Sequence, residues 1–384
     1  MKLKPNIKKS KIILSSIAGL FSVAMIVGDY FAYKYSDIIS TFFGVAEQLG
    51  GDTEVIEQSA KSSDEVVRRI AEEGTVLMKN KVKDGVPTLP LSKDQKNINV
   101  FGWGATDAGF LLTGNGSGRS YIYPDNKVTF LQGLKDADFN YNEEIIQIYE
   151  DWCTTEDADW GDTANWGNRY NTKLKEPVTE SAFPEDVVNR AKEFSDTAVI
   201  VLSRYSGEYI GNLYDKQYKH DLPTDETRSF NEISTEEESL IKMCTANFDK
   251  VIVVFNTGSI MDMTFIDDEA NFGEIDAALN VGYMGQSGAT AIGRILHGEI
   301  SPSGKLADTI VYEPEINEIT RVNSLSNDIV YAEDIYLGYK YYETADNEGL
   351  FQDKVLFDGT SSEKKGYNAV VQYPFCHGLS YTNF

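Results

Sequence analysis

The sequence predicts an α/β fold: a mostly parallel sheet sandwiched by helices and preceded by an N-terminal hydrophobic helix. Three observations carry that expectation. Ala198–Ile210 reads AVIVLSRYSGEYI, an apolar run that breaks into small and charged residues at its end. A strand buried on both faces has this composition, with its polar residues gathered where the chain leaves the sheet. Val251–Phe255 is a second such run, followed by Asn256, Thr257, Gly258 and Ser259. Around these runs lie segments with helical periodicity, and strands alternating with helices favour parallel pairing with helices on both faces. Ligands of such open sheets bind outside the carboxyl ends of the strands. Glu208 follows one of those strand ends, behind Gly207, which lets the chain turn sharply.

The elements follow in order from the N-terminus. Lys2, Lys4, Lys8, Lys9 and Lys11 make residues 1–11 a basic tail, and IILSSIAGLFSVAMIVG at 12–28 carries no charge. Tyr30, Phe31 and Ala32 extend the apolar stretch, so 12–32 reads as a transmembrane anchor or a signal segment. The basic flank keeps the N-terminus in the cytoplasm and sends the rest across. The expected location is the cell membrane, single-pass with the main domain outside; secretion after cleavage is the alternative. Residues 33–60 read as a polar-flanked spacer with a partly helical tendency. Ser62–Asn80 begins with a cap at Ser62 or Ser63, shows an apolar face through Val66, Val67, Ile70 and Val76, and breaks at Gly74 before a short buried strand at Thr75–Met78.

Asn97–Phe101 is the first expected sheet strand, and a helical pattern starts near Thr129–Leu134. The stretch 140–180 is rich in Asp, Glu, Trp and Tyr and reads as an inserted surface region rather than core. Phe183–Phe194 is expected as helix. Ser234–Asn247 is another, with Ser234 as cap and Glu237 three residues on completing a capping box. Ile260–Asp267, a short strand at Ala277–Val281 and a helix over Gln286–Leu296 continue the alternation. The expected domain thus runs over 61–320. An aromatic C-terminal arm of the same domain, 321–384, leads toward a further domain; it reads as a packed arm rather than a sugar platform.

Composition narrows the functional classes. Sixty acidic residues against 35 basic ones give a formal charge of -25 over 384 residues, which argues against nucleic acid as a partner. Cys153, Cys244 and Cys376 are too scattered for a disulfide framework, and with His220, His297 and His377 equally isolated no metal site is visible. The glycine-rich stretch Gly102–Gly118 nearly matches a dinucleotide fingerprint at Gly102, Gly104 and Asp107. Asp107 stands where a small residue must let the next helix approach the sheet. No phosphate loop is present either. The stretch reads as flexible loops flanking a cleft, and no cofactor is expected.

Five segments, taken as an ordered set, carry a family resemblance over about 70–384. Glu73–Asn80 with Leu89-Pro90-Leu91 resembles the opening of the α/β-sandwich domain of family 3 glycoside hydrolases, and Ser203–Glu208 resembles that domain's acid/base loop. Asn256–Ser259 with Tyr283, Gly285, Gln286 and Gly288 resembles its next strand ends. Ser301–Leu306 resembles its Pro-Ser-Gly-Lys-Leu motif. Ile335–Tyr342, together with Tyr373–Phe375 and Gly378–Thr382, resembles its C-terminal signature.

The resemblance implies a retaining β-glycosidase, an exo-acting β-glucosidase, in which a sandwich glutamate protonates the leaving oxygen and a barrel aspartate attacks. Glu208 is then the acid/base. Such chemistry needs two carboxyl groups about 5 Å apart. Arg204 is expected to orient loop carboxylates or a sugar hydroxyl, and Tyr205 and Tyr209 to present aromatic surface to a sugar face. The chain departs from the family pattern in one respect: nothing in it supplies the eight strand–helix units, about 250 residues, of a barrel. It resembles the leading half of a permuted member, with the sandwich first. The implied partners are a β-linked oligosaccharide or glucoside, a barrel domain or subunit supplying the nucleophile, and a lipid bilayer through 12–32. The chain by itself is not expected to hydrolyse glycosides. A non-catalytic carbohydrate-binding or scaffold protein that keeps the sandwich is the alternative. The sugar stays open, β-xylosidase and N-acetylglucosaminidase activities included.

Overall fold

The computed structural model describes residues 7–36, 53–114, 122, 126–154, 176–204, 228, 232–313, 333–357 and 363–382. The chain divides into two units, Met1–Ser62 and Ser63–Phe384. In the first lies helix α1 (Ile7–Lys34). Its stretch Ser15–Lys34 has a mean hydropathy of 1.5 and is long and apolar enough to cross a membrane or to serve as a signal sequence. Ile17, Leu20, Phe21 and Ile26 are all exposed. Helix α2 (Thr53–Gly74) starts earlier than the sequence suggests. Ser62 does not cap it: its hydroxyl donates to the Gln58 carbonyl at 2.9 Å, a bond made in a helix interior. The last residues of the expected 33–60 spacer are therefore helical.

In the second unit, β1 (Val76–Asn80), β2 (Asn97–Phe101), α3 (Phe130–Asp136), β3 (Asn140–Tyr141) and α4 (Glu143–Cys153) come first. They are followed by α5 (Glu185–Phe194), β4 (Thr197–Arg204), α6 (Thr235–Asn247), β5 (Lys250–Thr257), β6 (Ala277–Asn280) and α7 (Thr290–Leu296). Six strands form one sheet in the order β1-β6-β5-β4-β2-β3. Five run parallel, and β1 closes one side antiparallel to β6. The mostly parallel sheet is the one the sequence predicts.

Alternation along the central strands explains the two layers of helices. Ala198, Ile200 and Leu202 of β4 join Val251, Val253 and Phe255 of β5 on one face, where Leu240, Ile241 and Cys244 of α6 and Val188 and Ala191 of α5 cover them. Val199, Val201, Ile252 and Val254 point to the other face and meet Phe130 and Leu134 of α3 and Ile292, Ile295 and Leu296 of α7. Every residue of β4 is buried, which is why its sequence shows no polar alternation.

The expectation that 140–180 is a surface insertion is overturned at both its described ends. β3 extends the sheet beside β2, and Ile145, Ile146 and Tyr149 of α4 are core residues. Glu176 is buried as well. Glu143 and Glu144 sit in the first turn of α4, where they complement the helix dipole. Residues 155–175 lie outside the described part. The Ile260–Asp267 stretch is loop with a short 3₁₀ turn at Thr264–Ile266.

The C-terminal residues return to the sheet's closing strand. β7 (Ile310–Val311) pairs with β10 (Val371–Tyr373), and α8 (Tyr339–Asn347) and the pair β8 (Val355–Phe357) and β9 (Glu363–Lys365) lie between them in sequence. Tyr342, Ala345, Phe351 and Val370 form a satellite cluster with Val311 and Val371. Leu379 N–H donates to the Leu77 carbonyl of β1 at 2.7 Å. In the Pro-Ser-Gly-Lys-Leu segment, Gly304 N–H donates to the Thr75 carbonyl at 3.1 Å, and Lys305 Nζ donates to the Gly378 carbonyl. A Cβ on Gly304 would lie 2.4 Å from the Gly74 oxygen, so this glycine serves backbone packing.

Candidate active site at the carboxyl edge of the sheet

The strand order fixes where a site belongs. The chain runs outward from β2 to β3, returns to β4, and then winds the other way through β5 and β6. Helical connections on opposite faces part at the β2/β4 boundary, and the carboxyl ends of these two strands border the crevice of a doubly wound sheet.

The exit of β2 is drawn tightly onto β4. Gly102 has φ 91, and a Cβ there would lie 2.4 Å from the Val201 oxygen; one on Gly104 would lie 2.6 Å from Ser203 Oγ. Only glycine permits this approach. Gly102, Trp103, Gly104 and Ala105 are all buried, so this part of the glycine-rich stretch is packed backbone rather than the flexible loop the sequence suggests. Residues 115–118 of the same stretch lie outside the described residues.

A buried network secures that exit. Tyr149 hydroxyl accepts from Gly102 N–H at 2.8 Å and donates to Glu176 Oε1 at 2.6 Å, while Glu176 Oε2 accepts from Trp103 N–H at 2.9 Å. Burial pushes the Glu176 carboxyl up to about 8 against the pull of these two hydrogen bonds, and the charges of Glu237 and Glu236 add to the rise. Burial likewise raises Tyr149, with Glu176 adding to it.

At the end of β4, Ser203 Oγ donates to Asn256 Oδ1 at 3.0 Å. Asn256, fully buried at the end of β5, also accepts from Leu111 N–H at 2.6 Å and donates to the carbonyls of Leu111 and Gly282 at 2.9 and 2.7 Å. One amide thus ties two strand ends to the loops that flank them. Arg204 is 1% exposed. Its guanidinium forks onto Glu237 at 2.7 and 2.6 Å and donates to the Glu232 carbonyl at 2.9 Å. Glu237 is also the capping-box partner of Ser234 at the start of α6, so one carboxylate serves both. Tyr283 hydroxyl donates to the Arg204 carbonyl at 3.0 Å.

Beside this, where β5 and β6 end, lies a cavity of about 210 Å³. Thr257, Ser259, Asn280 and Asp308 contribute polar atoms to its wall, and Val76 and Met263 contribute apolar ones.

Of the residues expected to act, only Arg204 is described, and its side chain is buried against the Glu237 carboxylate. Tyr205, Glu208 and Tyr209 lie outside the described residues. Sequence reasoning missed Glu176 and Tyr149, and it saw Glu237 only as a cap. A carboxylate in an acid-rich stretch carries no local sign of burial. The Arg204–Glu237 contact joins residues 33 apart in sequence, beyond any periodicity.

The comparisons with known proteins agree in one direction. The family model described as glycosyl hydrolase family 3 C-terminal domain matches residues 75–339. A β-glucosidase of Ruminococcus albus is 32% identical over 316 residues, 81% of this chain and 27% of that protein. Beta-glucosidase A of Butyrivibrio fibrisolvens is 31% identical, covering 81% of this chain and 34% of its own length. Among solved structures, a β-glucosidase from Paenibacillus barengoltzii superposes with a TM-score of 0.63 at 28% identity, over 83% of this chain and 30% of the other. Beta-glucosidase 3B from Thermotoga neapolitana, in complex with α-D-glucose, gives 0.61 at 28% identity, over 85% and 39%. The chain therefore spans about a third of the length of the relatives it matches.

Proposed function

The chain belongs to glycosyl hydrolase family 3 through its C-terminal domain, and from that premise we propose that it supplies the acid/base of a retaining β-glycosidase, with β-glucosides as substrates. Glu208 is the proton donor to the leaving oxygen, and a (β/α)8 barrel supplies the attacking carboxylate. The observation that carries this reading is the ending of β4. An eight-residue buried strand terminates at Arg204 at the reversal point of the sheet, and Glu208 follows four residues later. A carboxyl that donates a proton must be held protonated at working pH, by burial or by the nucleophile beside it.

Assay with a chromogenic β-glucoside tests the reading directly. The chain alone is expected to show no turnover. Together with a nucleophile-bearing barrel it turns over, and Glu208→Gln lowers the rate by about 10²–10⁴-fold, the usual contribution of a general acid. Turnover by the chain alone that Glu208→Gln abolishes would overturn the half-site reading. Binding of glucoside without turnover in any assembly selects the carbohydrate-binding alternative.

The same proposal extends to location. α1 anchors the chain in a bilayer with the lysine-rich tail in the cytoplasm and the domain outside. Its apolar residues are supported as lipid-facing by their exposure. Retention of the full-length chain in membranes after an alkaline wash checks this; recovery of a shortened soluble form shows that α1 is a cleaved signal.

A further inference from the structure

The cavity where β5 and β6 end has a composition that the proton-donor reading leaves unused. β5 reaches it with Thr257 and β6 with Asn280, which Val76 of β1 faces across the antiparallel ladder. Side chains alternate along a strand, so Thr257 shares the face of Val253 and Phe255, opposite to Asn256 and its loop network. β4 and β5 separate the cavity from the β2/β4 crevice, a spacing of about 10 Å. One wall is held by backbone bonds. Gly304 N–H donates to the Thr75 carbonyl at 3.1 Å, Leu306 N–H to the His377 carbonyl at 2.9 Å, and Cys376 N–H to the Leu306 carbonyl at 2.9 Å. Asp308 follows on that wall, and its carboxylate meets no hydrogen-bond or ion-pair partner among the described residues. Asn280 Oδ1 accepts from Gly282 N–H at 3.2 Å, while its amide N–H groups likewise meet no acceptor among the described residues. The Ser259 hydroxyl lies 3.3 Å from that of Thr257, and either can be the donor.

We propose that this cavity binds one neutral polyhydroxyl ring, a free monosaccharide of pyranose size, independently of Glu208. Every hydroxyl of such a ligand both donates and accepts a hydrogen bond. The wall offers partners of both kinds: the Asp308 carboxylate accepts, the Asn280 amide donates, and the Ser259 hydroxyl does either. A hard cation takes oxygen acceptors alone, whereas the Asn280 amide and the Lys305 ammonium beside it are donors. The Asp308 charge in turn repels an anion. Val76 and Met263 supply apolar surface for the C–H edges of a ring. At about 210 Å³ the cavity falls below the about 300 Å³ at which drug-sized sites begin, which suits a single ring rather than a chain of them. Every residue named lies within this chain, so the test needs neither a barrel nor turnover.

Methyl NMR on the full-length chain, labelled at Met and Ile and titrated with D-glucose, tests the site. The Met263 and Ile260 signals are expected to move along one saturable curve with a Kd of about 1–10 mM, weak binding by a small ligand. The signal of Ile292, buried in α7 on the other face of the sheet, is expected to stay in place. Asp308→Asn, a change at an exposed position, weakens binding about tenfold or more, the usual loss of a charged acceptor. Ser259→Phe fills the cavity and abolishes the curve. In both variants an unmoved Ile292 signal shows that the sheet is folded. Movement that grows without saturating up to roughly 100 mM glucose, or no movement at all, would overturn the proposal. So would equal shifts at Met263 and Ile292, or an affinity that neither variant changes. Calcium chloride moving the Met263 signal where glucose does not would mark a cation site and overturn it too.

Discussion

The two ends of the sheet handle charge in opposite ways. At the amino edge, Lys81 reaches Glu269 and Glu274 at 2.9 and 2.8 Å, and Lys83 reaches Glu274 and Asp276 at 3.0 and 2.6 Å. Apart from Asp276, these side chains are between 32% and 46% exposed. At the carboxyl edge, Arg204 and Glu237 are 1% and 4% exposed and Glu176 is 9% exposed. Water screens the first set apart from the buried Asp276, and the exposed pairs there contribute little. The second set is desolvated, so Arg204 and Glu237 depend on each other as charges, and burial favours the protonated form of Glu176. Among these groups the buried charges gather mostly at the carboxyl edge, and the exposed ones at the amino edge.

The largest expected difference tests that contrast at its centre. Glu237→Ala strips a buried cation of its partner and a helix of its capping box, and it is expected to lower unfolding free energy by about 3–5 kcal/mol. Urea denaturation checks this; a loss below about 1 kcal/mol would put the carboxyl edge in the same class as the amino edge.

The second test uses pH. Glu176 titrates near 8 in the folded protein and near the ordinary carboxylate value when unfolded, so the folded state holds the extra proton between those limits. Stability from this group is present at acidic pH. It falls as pH rises through that window, by no more than about 1.4 kcal/mol per unit, and levels off above about 8. Glu176→Gln should flatten this limb in urea titrations run at pH 5, 6.5 and 8. An unchanged slope would show that another group sets it. The smallest effect belongs to the other edge: Lys81→Ala should cost less than about 1 kcal/mol, and added salt should erase it.

These contrasts also mark what the sequence could disclose. The apolar runs of β4 and β5 were legible because a strand covered on both faces is apolar through its middle, here Ala198–Leu202 and Val251–Phe255. Ser234 and Glu237 were legible as a capping box because that motif is local, and the structure contains both of its hydrogen bonds. Other features depend on distant contacts. Glu237 acquires its second role only when β4 arrives beside α6, and Glu176 becomes buried only when Tyr149 and the exit of β2 close over it. The polar composition of 140–180 masks the apolar spacing of Ile145, Ile146 and Tyr149, which places α4 in the core. The start of α2 was misplaced because a serine inside a helix looks the same in sequence as one that begins it.

The return of the chain's last residues to β1 has a consequence beyond cohesion. A sheet that ends in a bare strand offers unpaired amide and carbonyl groups to any neighbouring molecule, which is how ordered aggregates start. Here Leu379 takes the outer carbonyl of Leu77, and the His377 ring sits 2.8 Å from the carbonyl of Met78. The polypeptide thus blunts its own template, and residues 377–379 guard that strand against self-stacking.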